Sequence, residues 1–217
     1  MSGHSAVTAI FRRVRVIPVI VMDDPSHAVG VADALAAGGL PCAEITLRTP
    51  AAMECLKRMS DARPDVLVGA GTVLSEKQAA GAIKAGAKFV VSPGFSESVV
   101  DFCLAHQVPI YPGVCTPTEI EMALRQGLSE LKFFPAEAMG GVKYLKAVSA
   151  PYRDVRFIPT GGVTPANILE YLAIGAVIAC GGSWMTPADQ IAAGRFGQIE
   201  QSARSASALV QSGESTP

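Results

Sequence analysis

The chain has 217 residues, of which 49% are hydrophobic and 17% charged, and its formal net charge is −1 at pH 7. This composition excludes an intrinsically disordered chain, which needs low hydrophobicity and high net charge, and it argues against a nucleic-acid-binding surface. No apolar stretch approaches the ~20 residues that a bilayer-spanning helix needs, so we expect a cytoplasmic protein with no membrane partner. The five cysteines are scattered and the three histidines lack the spacing of metal ligands, so we expect free thiols, no metal and no cofactor.

Apolar, β-branched runs alternate along the chain with alanine-rich segments of helical periodicity. The first run follows three arginines, as in a signal peptide, but it meets an Asp-Asp-Pro sequence at once and lacks a cleavage site. We therefore interpret it as a core strand. The predicted strands are residues 16–21, 42–47, 66–71, 88–93, 109–114, 130–135, 156–161 and 176–182. A helical stretch follows each of them, as a repeated βα unit requires.

Capping residues mark the starts of the predicted helices. Five pairs of Asp or Thr with Pro each place a capping side chain before a proline of the first turn, and they begin at residues 24, 49, 116, 164 and 186. Eight βα units predict the α/β class and, within it, a closed (β/α)8 TIM barrel; an open doubly wound sheet is the alternative. We expect a single domain over residues 1–217, with its core at about 16–190 and frayed segments at 1–10 and 205–217.

A lysine stands near the middle of the sixth predicted strand, Glu130-Leu131-Lys132-Phe133-Phe134-Pro135. Side chains alternate along a strand, so Lys132 and Phe134 share one face, and the ammonium group is desolvated if both faces are covered. Desolvation disfavours the charged form of an amine, and a neutral amine can attack a carbonyl to form a Schiff base. A lysine that extends from a strand end to solvent is the alternative interpretation.

Polar residues also stand at the end of the second predicted strand. In a barrel of parallel strands, sites form at the C-terminal strand ends. Glu44, Thr46 and Arg48 share one face by the period of two, and the apolar residues on the other face fit the helix layer. A glutamate inside a barrel must be paired or functional, because an uncompensated buried charge is costly. A structural ion pair between Glu44 and Arg48 is the alternative to a catalytic role.

Glycine-rich turns end the third, seventh and eighth predicted strands, with the sequences Gly69-Ala70-Gly71-Thr72, Thr160-Gly161-Gly162 and Cys180-Gly181-Gly182-Ser183. Two such turns after the last two strands are typical of the phosphate site of barrels, where backbone N–H groups face an anion. An arginine such as Arg48 suits carboxylate recognition. The layout therefore fits a substrate with a carboxylate, a ketone and a phosphate. Cys115 lacks a histidine in a comparable place that could activate it as a nucleophile.

At this level of detail the sequence resembles the family of 2-keto-3-deoxy-6-phosphogluconate (KDPG) aldolases, including those that also cleave 4-hydroxy-2-oxoglutarate (KHG). The resemblance extends from about residue 16 to about residue 190 and is carried by many motifs in the same order. These motifs are Pro18-Val19-Ile20, Glu44-Ile45-Thr46-Leu47-Arg48-Thr49, Val68-Gly69-Ala70-Gly71-Thr72-Val73, Ser92-Pro93-Gly94, Leu131-Lys132-Phe133-Phe134-Pro135-Ala136-Glu137, Pro159-Thr160-Gly161-Gly162-Val163 and Gly181-Gly182-Ser183-Trp184.

The resemblance implies a class I aldolase that needs no metal, acts on a phosphorylated 2-keto-3-deoxy sugar acid and forms a homotrimer. It implies that Lys132 forms the Schiff base and that Glu44 accepts and donates protons. The residues that it implies for substrate binding are Arg48 and Thr72 for the carboxylate, Thr160, Phe134 and Pro93 for the substrate chain, and Gly161, Gly162, Gly182 and Ser183 for the phosphate.

Two positions depart from the family pattern: Cys115 stands where serine is common, and Met139 stands where a smaller or polar residue is usual. Neither is one of the reacting groups, but both leave the preferred stereoisomer open. One alternative function is therefore an aldolase for the galactonate epimer or for another 4-hydroxy-2-oxoacid. A non-catalytic barrel that binds sugar phosphates is the other alternative, and it would be expected to lack Lys132 or Glu44.

Overall fold

The computed structural model of this protein describes residues 3–212. Within that range the strands are β1 (Val16–Ile20), β2 (Cys42–Thr46), β3 (Leu67–Gly71), β4 (Val90–Val91), β5 (Ile110–Tyr111), β6 (Gly113–Val114), β7 (Glu130–Phe133), β8 (Arg156–Pro159) and β9 (Cys180–Gly182). The helices are α1 (Gly3–Val14), α2 (Ala28–Ala37), α3 (Ala52–Ala62), α4 (Glu76–Lys84), α5 (Glu97–Ala105), α6 (Pro117–Arg125), α7 (Gly141–Ser149), α8 (Ile168–Leu172), α9 (Ala188–Ala192) and α10 (Phe196–Ser212). In this described part of the chain, no helix has the length and apolar character that a membrane crossing would require.

The strands form two parallel sheets, one of six strands in the order β5-β4-β3-β2-β1-β9 and one of three in the order β6-β7-β8. The predicted α/β class with a parallel sheet is thus confirmed, while the eight strands of the predicted barrel appear as nine shorter ones in the described residues. The split falls at Pro112, which separates β5 from β6 and has no N–H group to donate to a sheet ladder. Isolated bridges from Phe157 to Val177 and from Thr160 to Gly181 link the second sheet to the region of β9.

The pairing register brings two polar residues into the middle of the strand layer. Glu44 of β2 lies between Val19 of β1 and Gly69 of β3. Lys132 of β7 lies between Gly113 of β6 and Ile158 of β8. All five residues of β1 and of β2 are buried, as expected for parallel strands covered by helices.

The first helix packs against the starts of the strands. Val7 and Phe11 of α1 are buried in a hydrophobic cluster with Phe89 and Tyr111, and the rings of Phe11 and Phe89 meet edge to face with centroids 5.1 Å apart. Residues 3–10, which the sequence analysis expects to be frayed, are therefore helical. The apolar residues at a spacing of four explain the difference, because they give α1 one face that can be buried.

The C-terminal helix α10 packs on α2, and residues 205–212 are likewise helical where fraying is expected. Ile199, Ala203, Ala206 and Val210 of α10 are buried, and their spacing of three and four residues is the period of an apolar helix face. The residues between them are mostly small or polar, which is why the sequence alone predicts that this segment is frayed. The remaining parts of the two predicted frayed segments, residues 1–2 and 213–217, lie outside the described residues.

Two of the five predicted helix caps are present as such. Asp24 accepts a hydrogen bond from the Ser26 backbone N–H at 2.8 Å and begins a short 3-10 helix. Thr116 and Glu119 form a reciprocal capping box at the start of α6. The pairs at residues 49, 164 and 186 do not supply the N-cap residue. The helices α3, α8 and α9 begin one to three residues after the proline that was predicted to start them. In one case the reason is visible: the Thr49 hydroxyl donates to the carbonyl of Met22 at 2.6 Å.

Candidate active site

A buried ion pair lies in the interior between the two sheets. Lys132 is 5% exposed and Glu44 is 3% exposed, and Lys132 Nζ lies 3.5 Å from Glu44 Oε1. The burial of Lys132 rules out the alternative of a lysine that extends to solvent. Glu44 pairs with Lys132 rather than with Arg48, so the alternative of a Glu44–Arg48 ion pair is also wrong.

The surroundings of the pair explain how two charges are accommodated in an apolar interior. The ammonium group of Lys132 lies 5.0 Å from the ring centroid of Phe134, a distance at which the ring face attracts a cation. Gly71 at the end of β3 leaves room for the carboxylate, since a Cβ atom there would lie 2.2 Å from Glu44 Oε1. A buried ion pair contributes little net stability compared with apolar side chains of similar volume. The pair therefore fits a role in chemistry better than a role in stability.

Arg48 and Thr72 lie together on the rim above the pair. Arg48 is exposed just after β2, and its Nε donates to Thr72 Oγ1 at 3.3 Å. Thr72 has a φ of 58°, which is a strained conformation for a β-branched residue. Strain of this kind concentrates at functional sites, where the surrounding structure holds it in place. The guanidinium and hydroxyl groups are thus held where they can donate to one anionic group.

A cavity of about 190 Å³ opens at the C-terminal ends of β1, β2, β8 and β9. Its lining residues are Val19, Val21, Arg48, Phe134, Thr160, Gly161, Gly162, Val163, Gly181, Gly182 and Ser183. Lys132 and Glu44 are absent from this lining and lie deeper, and Phe134 connects the two levels because its ring faces both the cavity and Lys132. The cavity therefore unites Arg48, Phe134, Thr160 and the two predicted glycine turns.

The turn after β8 presents backbone donors to this cavity. Gly161 and Gly162 have φ angles of 97° and 82°, a left-handed conformation that glycine adopts without steric cost. Among the described residues, the backbone N–H groups of Gly162 and Val163 make no hydrogen bond to another backbone group. Successive free N–H groups in such a turn form a concave site for an anion. Ser183, exposed in the turn after β9, adds a hydroxyl group to the same wall.

The remaining sequence-predicted residue of the substrate chain, Pro93, lies beside the strand that pairs with Lys132. Its carbonyl oxygen would lie 2.1 Å from a Cβ atom at Gly113, and Gly113 is the register partner of Lys132. Pro93 does not line the cavity, but it lies next to Gly113 and therefore near Lys132. The sequence analysis missed Val19 and Val21, which form an apolar wall of the cavity. Their signal in the sequence is their position at the C-terminal end of β1, where a barrel of parallel strands places its sites.

Cys115 takes no part in the ion pair or the cavity lining. Its Sγ donates to Glu119 Oε2 at 3.4 Å. Burial, together with the hydrogen bond to Glu119 and the negative charge of that residue, raises the pKa of the Cys115 thiol. The thiolate is the nucleophilic form of cysteine, so this environment disfavours a nucleophilic role. Within residues 3–212, no group of three or more His, Cys, Asp or Glu side chains is arranged to hold a metal ion.

A buried amine beside a carboxylate, below a rim that carries an arginine and hydroxyl groups, suits an enzyme that forms Schiff bases. Comparison with known proteins identifies the particular family. The family model described as KDPG and KHG aldolase matches residues 7–202, and the chain belongs to this aldolase family.

Individual relatives are similar to this chain over most of their length. The 2-dehydro-3-deoxy-phosphogluconate aldolase of Treponema pallidum is 53% identical over 187 residues, which cover 86% of this chain and 89% of the relative. The KDPG aldolase of Zymomonas mobilis ZM4, solved with 3-phosphoglycerate, has a TM-score of 0.88 and 39% identity over 95% of this chain and 97% of that one. The KDPG aldolase of Legionella pneumophila, solved with pyruvate captured at low pH as a covalent carbinolamine, has a TM-score of 0.89 and 38% identity over 92% and 97% of the two chains.

The close approach of Gly71 to Glu44 generates a prediction about stability. In Gly71→Ala the added methyl group would lie 2.2 Å from Glu44 Oε1, so the carboxylate must move, and we expect the free energy of unfolding to fall by about 1–3 kcal/mol. Urea denaturation measures the change. The control is Gly175→Ala, where a Cβ atom has nothing within 4 Å and stability should be unchanged or slightly higher. Equal effects of the two substitutions would contradict the packing role of Gly71.

Proposed function

We propose that this protein is a class I aldolase that cleaves KDPG to pyruvate and glyceraldehyde 3-phosphate, and that it also cleaves KHG to pyruvate and glyoxylate. The observation that carries the proposal is the buried pair of Lys132 Nζ and Glu44 Oε1 at 3.5 Å. Family membership supports the reaction type. The covalent pyruvate adduct in the Legionella pneumophila relative supports attack by an amine on the ketone.

The reaction begins with attack of Lys132 Nζ on the C2 carbonyl of the substrate. An amine must be neutral to attack, and Glu44 is close enough to Nζ to accept its proton. Glu44 returns this proton to the hydroxyl group of the carbinolamine that forms, so water leaves, Glu44 is a carboxylate again, and the product is an iminium ion whose positive nitrogen can accept an electron pair. The low dielectric of the buried site strengthens the interaction of that iminium with the Glu44 carboxylate.

Cleavage then requires removal of the proton from the C4 hydroxyl group. Glu44, through a water molecule, accepts this proton as a general base. The electron pair of the C3–C4 bond moves to the iminium nitrogen, so the aldehyde leaves and a pyruvate enamine stays on Lys132. Glu44 returns a proton to C3, and hydrolysis of the resulting iminium releases pyruvate and the free amine.

The rim groups orient the substrate for these steps. Arg48 and Thr72, joined by a 3.3 Å hydrogen bond, bind the carboxylate next to C2, and the planar guanidinium suits this group. Phe134, Thr160 and Pro93 lie along the substrate chain. Gly161, Gly162, Gly182 and Ser183 bind the phosphate through backbone N–H groups and one hydroxyl group. The phosphorylated ligand in the Zymomonas mobilis relative supports a phosphate site of this kind.

We also propose that the two sheets belong to one closed (β/α)8 barrel in a single domain and that the protein is a homotrimer. In support of the barrel, Pro112 alone separates β5 from β6, and the bridge between Thr160 and Gly181 connects the end of β8 to β9. The trimer rests on the resemblance to the family. Light scattering of the purified protein measures the number of subunits.

The proposed function is tested by an aldol-cleavage assay coupled to lactate dehydrogenase, with KDPG, its galactonate epimer and KHG as substrates. Borohydride with pyruvate should inactivate the enzyme and add mass to the peptide that contains Lys132. Lys132→Arg should be inactive although it keeps the charge, because a guanidinium group stays protonated and cannot attack a ketone. The exposed Lys143 and Lys146 serve as internal controls. Labelling at either of them in place of Lys132 would overturn the assignment.

Glu44 should be required for proton transfer. Glu44→Gln keeps the shape of the side chain and removes the base, so the cleavage rate should fall by about 10²–10⁴-fold, the usual contribution of such a group. Pyruvate should still be trapped on Lys132 by borohydride, although more slowly. A variant with near-normal turnover would reduce Glu44 to a structural partner of Lys132.

Ser183 should matter only for substrates that carry a phosphate. In Ser183→Ala we expect kcat/KM for KDPG to fall by the equivalent of about 1.5–3 kcal/mol, the scale of a hydrogen bond to a charged group. The same constant for KHG should barely change, because KHG has no phosphate. Measurement of kcat/KM for both substrates decides the point, and equal losses would assign Ser183 to the fold or the reacting centre.

A further inference from the structure

In the turn after β8, residues 160–163, three successive carbonyl groups each accept a hydrogen bond. The backbone N–H of Ala136 donates to Thr160 O at 2.9 Å, and that of Glu137 donates to Gly161 O at 3.0 Å. Asn167 Nδ2 donates to Gly162 O at 3.1 Å. Two of these carbonyl groups are thus bound by the segment that follows β7, and the third is bound by Asn167 at the start of α8.

The side chain of Glu137 supports the same turn. A Cβ atom at Gly162 would lie 2.5 Å from Glu137 Cγ, so the backbone of the turn rests directly on the methylene groups of Glu137. The hydroxyl group of Tyr171 in α8 donates to Glu137 Oε1. Tyr171 is fully buried, which makes its hydroxyl group a fixed anchor. Burial also raises the pKa of Tyr171, so the phenol stays a donor at neutral pH.

The location of this carboxylate matters because a negative charge at an anion site would weaken binding. Glu137 is not among the residues that line the cavity. Glu137 is exposed, and the hydrogen bond from Tyr171 holds its carboxylate outside the cavity lining, to which Gly161 and Gly162 belong. The mechanism described above assigns no role to Glu137 or Tyr171.

We propose that Glu137, anchored by Tyr171, is a positioning residue that sets the turn at residues 160–163 for a phosphate-bearing substrate. This inference rests on the proposed function and deepens it. Glu137 follows Lys132 by five residues in the same segment. One short stretch of chain therefore carries the amine that attacks C2 and also supports the turn that binds the far end of the substrate. Its effect should be on binding of the phosphate end and not on the chemistry at C2.

The test uses two variants that break the support and one that keeps it. Glu137→Ala removes the methylene groups and the acceptor, Tyr171→Phe removes only the donor, and Glu137→Gln keeps an oxygen that can accept from Tyr171. The chain offers a matched control, since Tyr152 donates to Glu121 Oε1 at 3.2 Å outside the cavity lining. Glu121→Ala and Tyr152→Phe remove a pair of the same chemistry from a different place.

The constants to measure are kcat and KM for KDPG and for KHG, with borohydride trapping of pyruvate as a check on the reacting centre. We expect Glu137→Ala and Tyr171→Phe to raise KM for KDPG by about 3- to 10-fold, the scale of one lost hydrogen bond, with kcat and all constants for KHG retained. Glu137→Gln and both control variants should resemble the wild type. Equal losses on both substrates, loss of pyruvate trapping in both variants, or an unchanged KM for KDPG would overturn the inference.

A separate binding measurement distinguishes this inference from the proposed function. Inorganic phosphate is titrated into the wild type and into the same variants by calorimetry. If the wild type binds phosphate without cleaving KDPG, the proposed function fails, and weaker phosphate binding by Glu137→Ala and Tyr171→Phe alone still supports the positioning role. If the wild type binds no phosphate, or all variants bind it equally, the positioning role of Glu137 is wrong.

Discussion

The burial of one ion pair governs how this chain is arranged. Lys132 and Glu44 meet at 3.5 Å although 88 residues separate them in sequence. Removal of either partner would leave a buried charge uncompensated, at a cost of about 3–5 kcal/mol. The strands β2 and β7 must therefore face each other across the interior with their third residues at the same height. The residues of the rim and the cavity follow the C-terminal ends of the same layer of strands.

Glycine residues at two strand ends make room for the side chains of glutamate residues. Gly71 has no side chain, and so the Glu44 carboxylate can lie next to the backbone of β3. Gly162 has none either, and so the turn after β8 can rest on Glu137. The polar groups of the rim are in turn held by neighbours, as Thr72 is by Arg48. Such support keeps donors in position before a substrate arrives, which lowers the cost of binding and orientation.

The cluster under α1 and the cavity are located at opposite ends of the strands. The cluster formed by Phe11, Phe89 and Tyr111 closes the side where the strands begin, with α1 as its cover. The cavity and the rim lie on the side where the strands end. Parallel strands make this division possible because all of them begin at one side of the layer and end at the other. Changes on the rim can therefore alter binding without disturbing the cluster under α1.

Local patterns in the sequence determined which residues could act. Period-two alternation placed Lys132 on one face with Phe134 and predicted that Glu44 points into the barrel, and glycine-rich strand ends identified the turn at Gly161 and Gly162, because both signals depend only on neighbouring residues. The structure alone decided the partner of Glu44, since Lys132 and Arg48 were both available and the choice depends on the register between distant strands. Only the structure shows that α1 is a formed helix and not a frayed segment, because the helix is stable when Phe11 is buried in the cluster under it. The structure alone also decided the contact of Glu137 with Tyr171, which joins two segments that no local pattern relates.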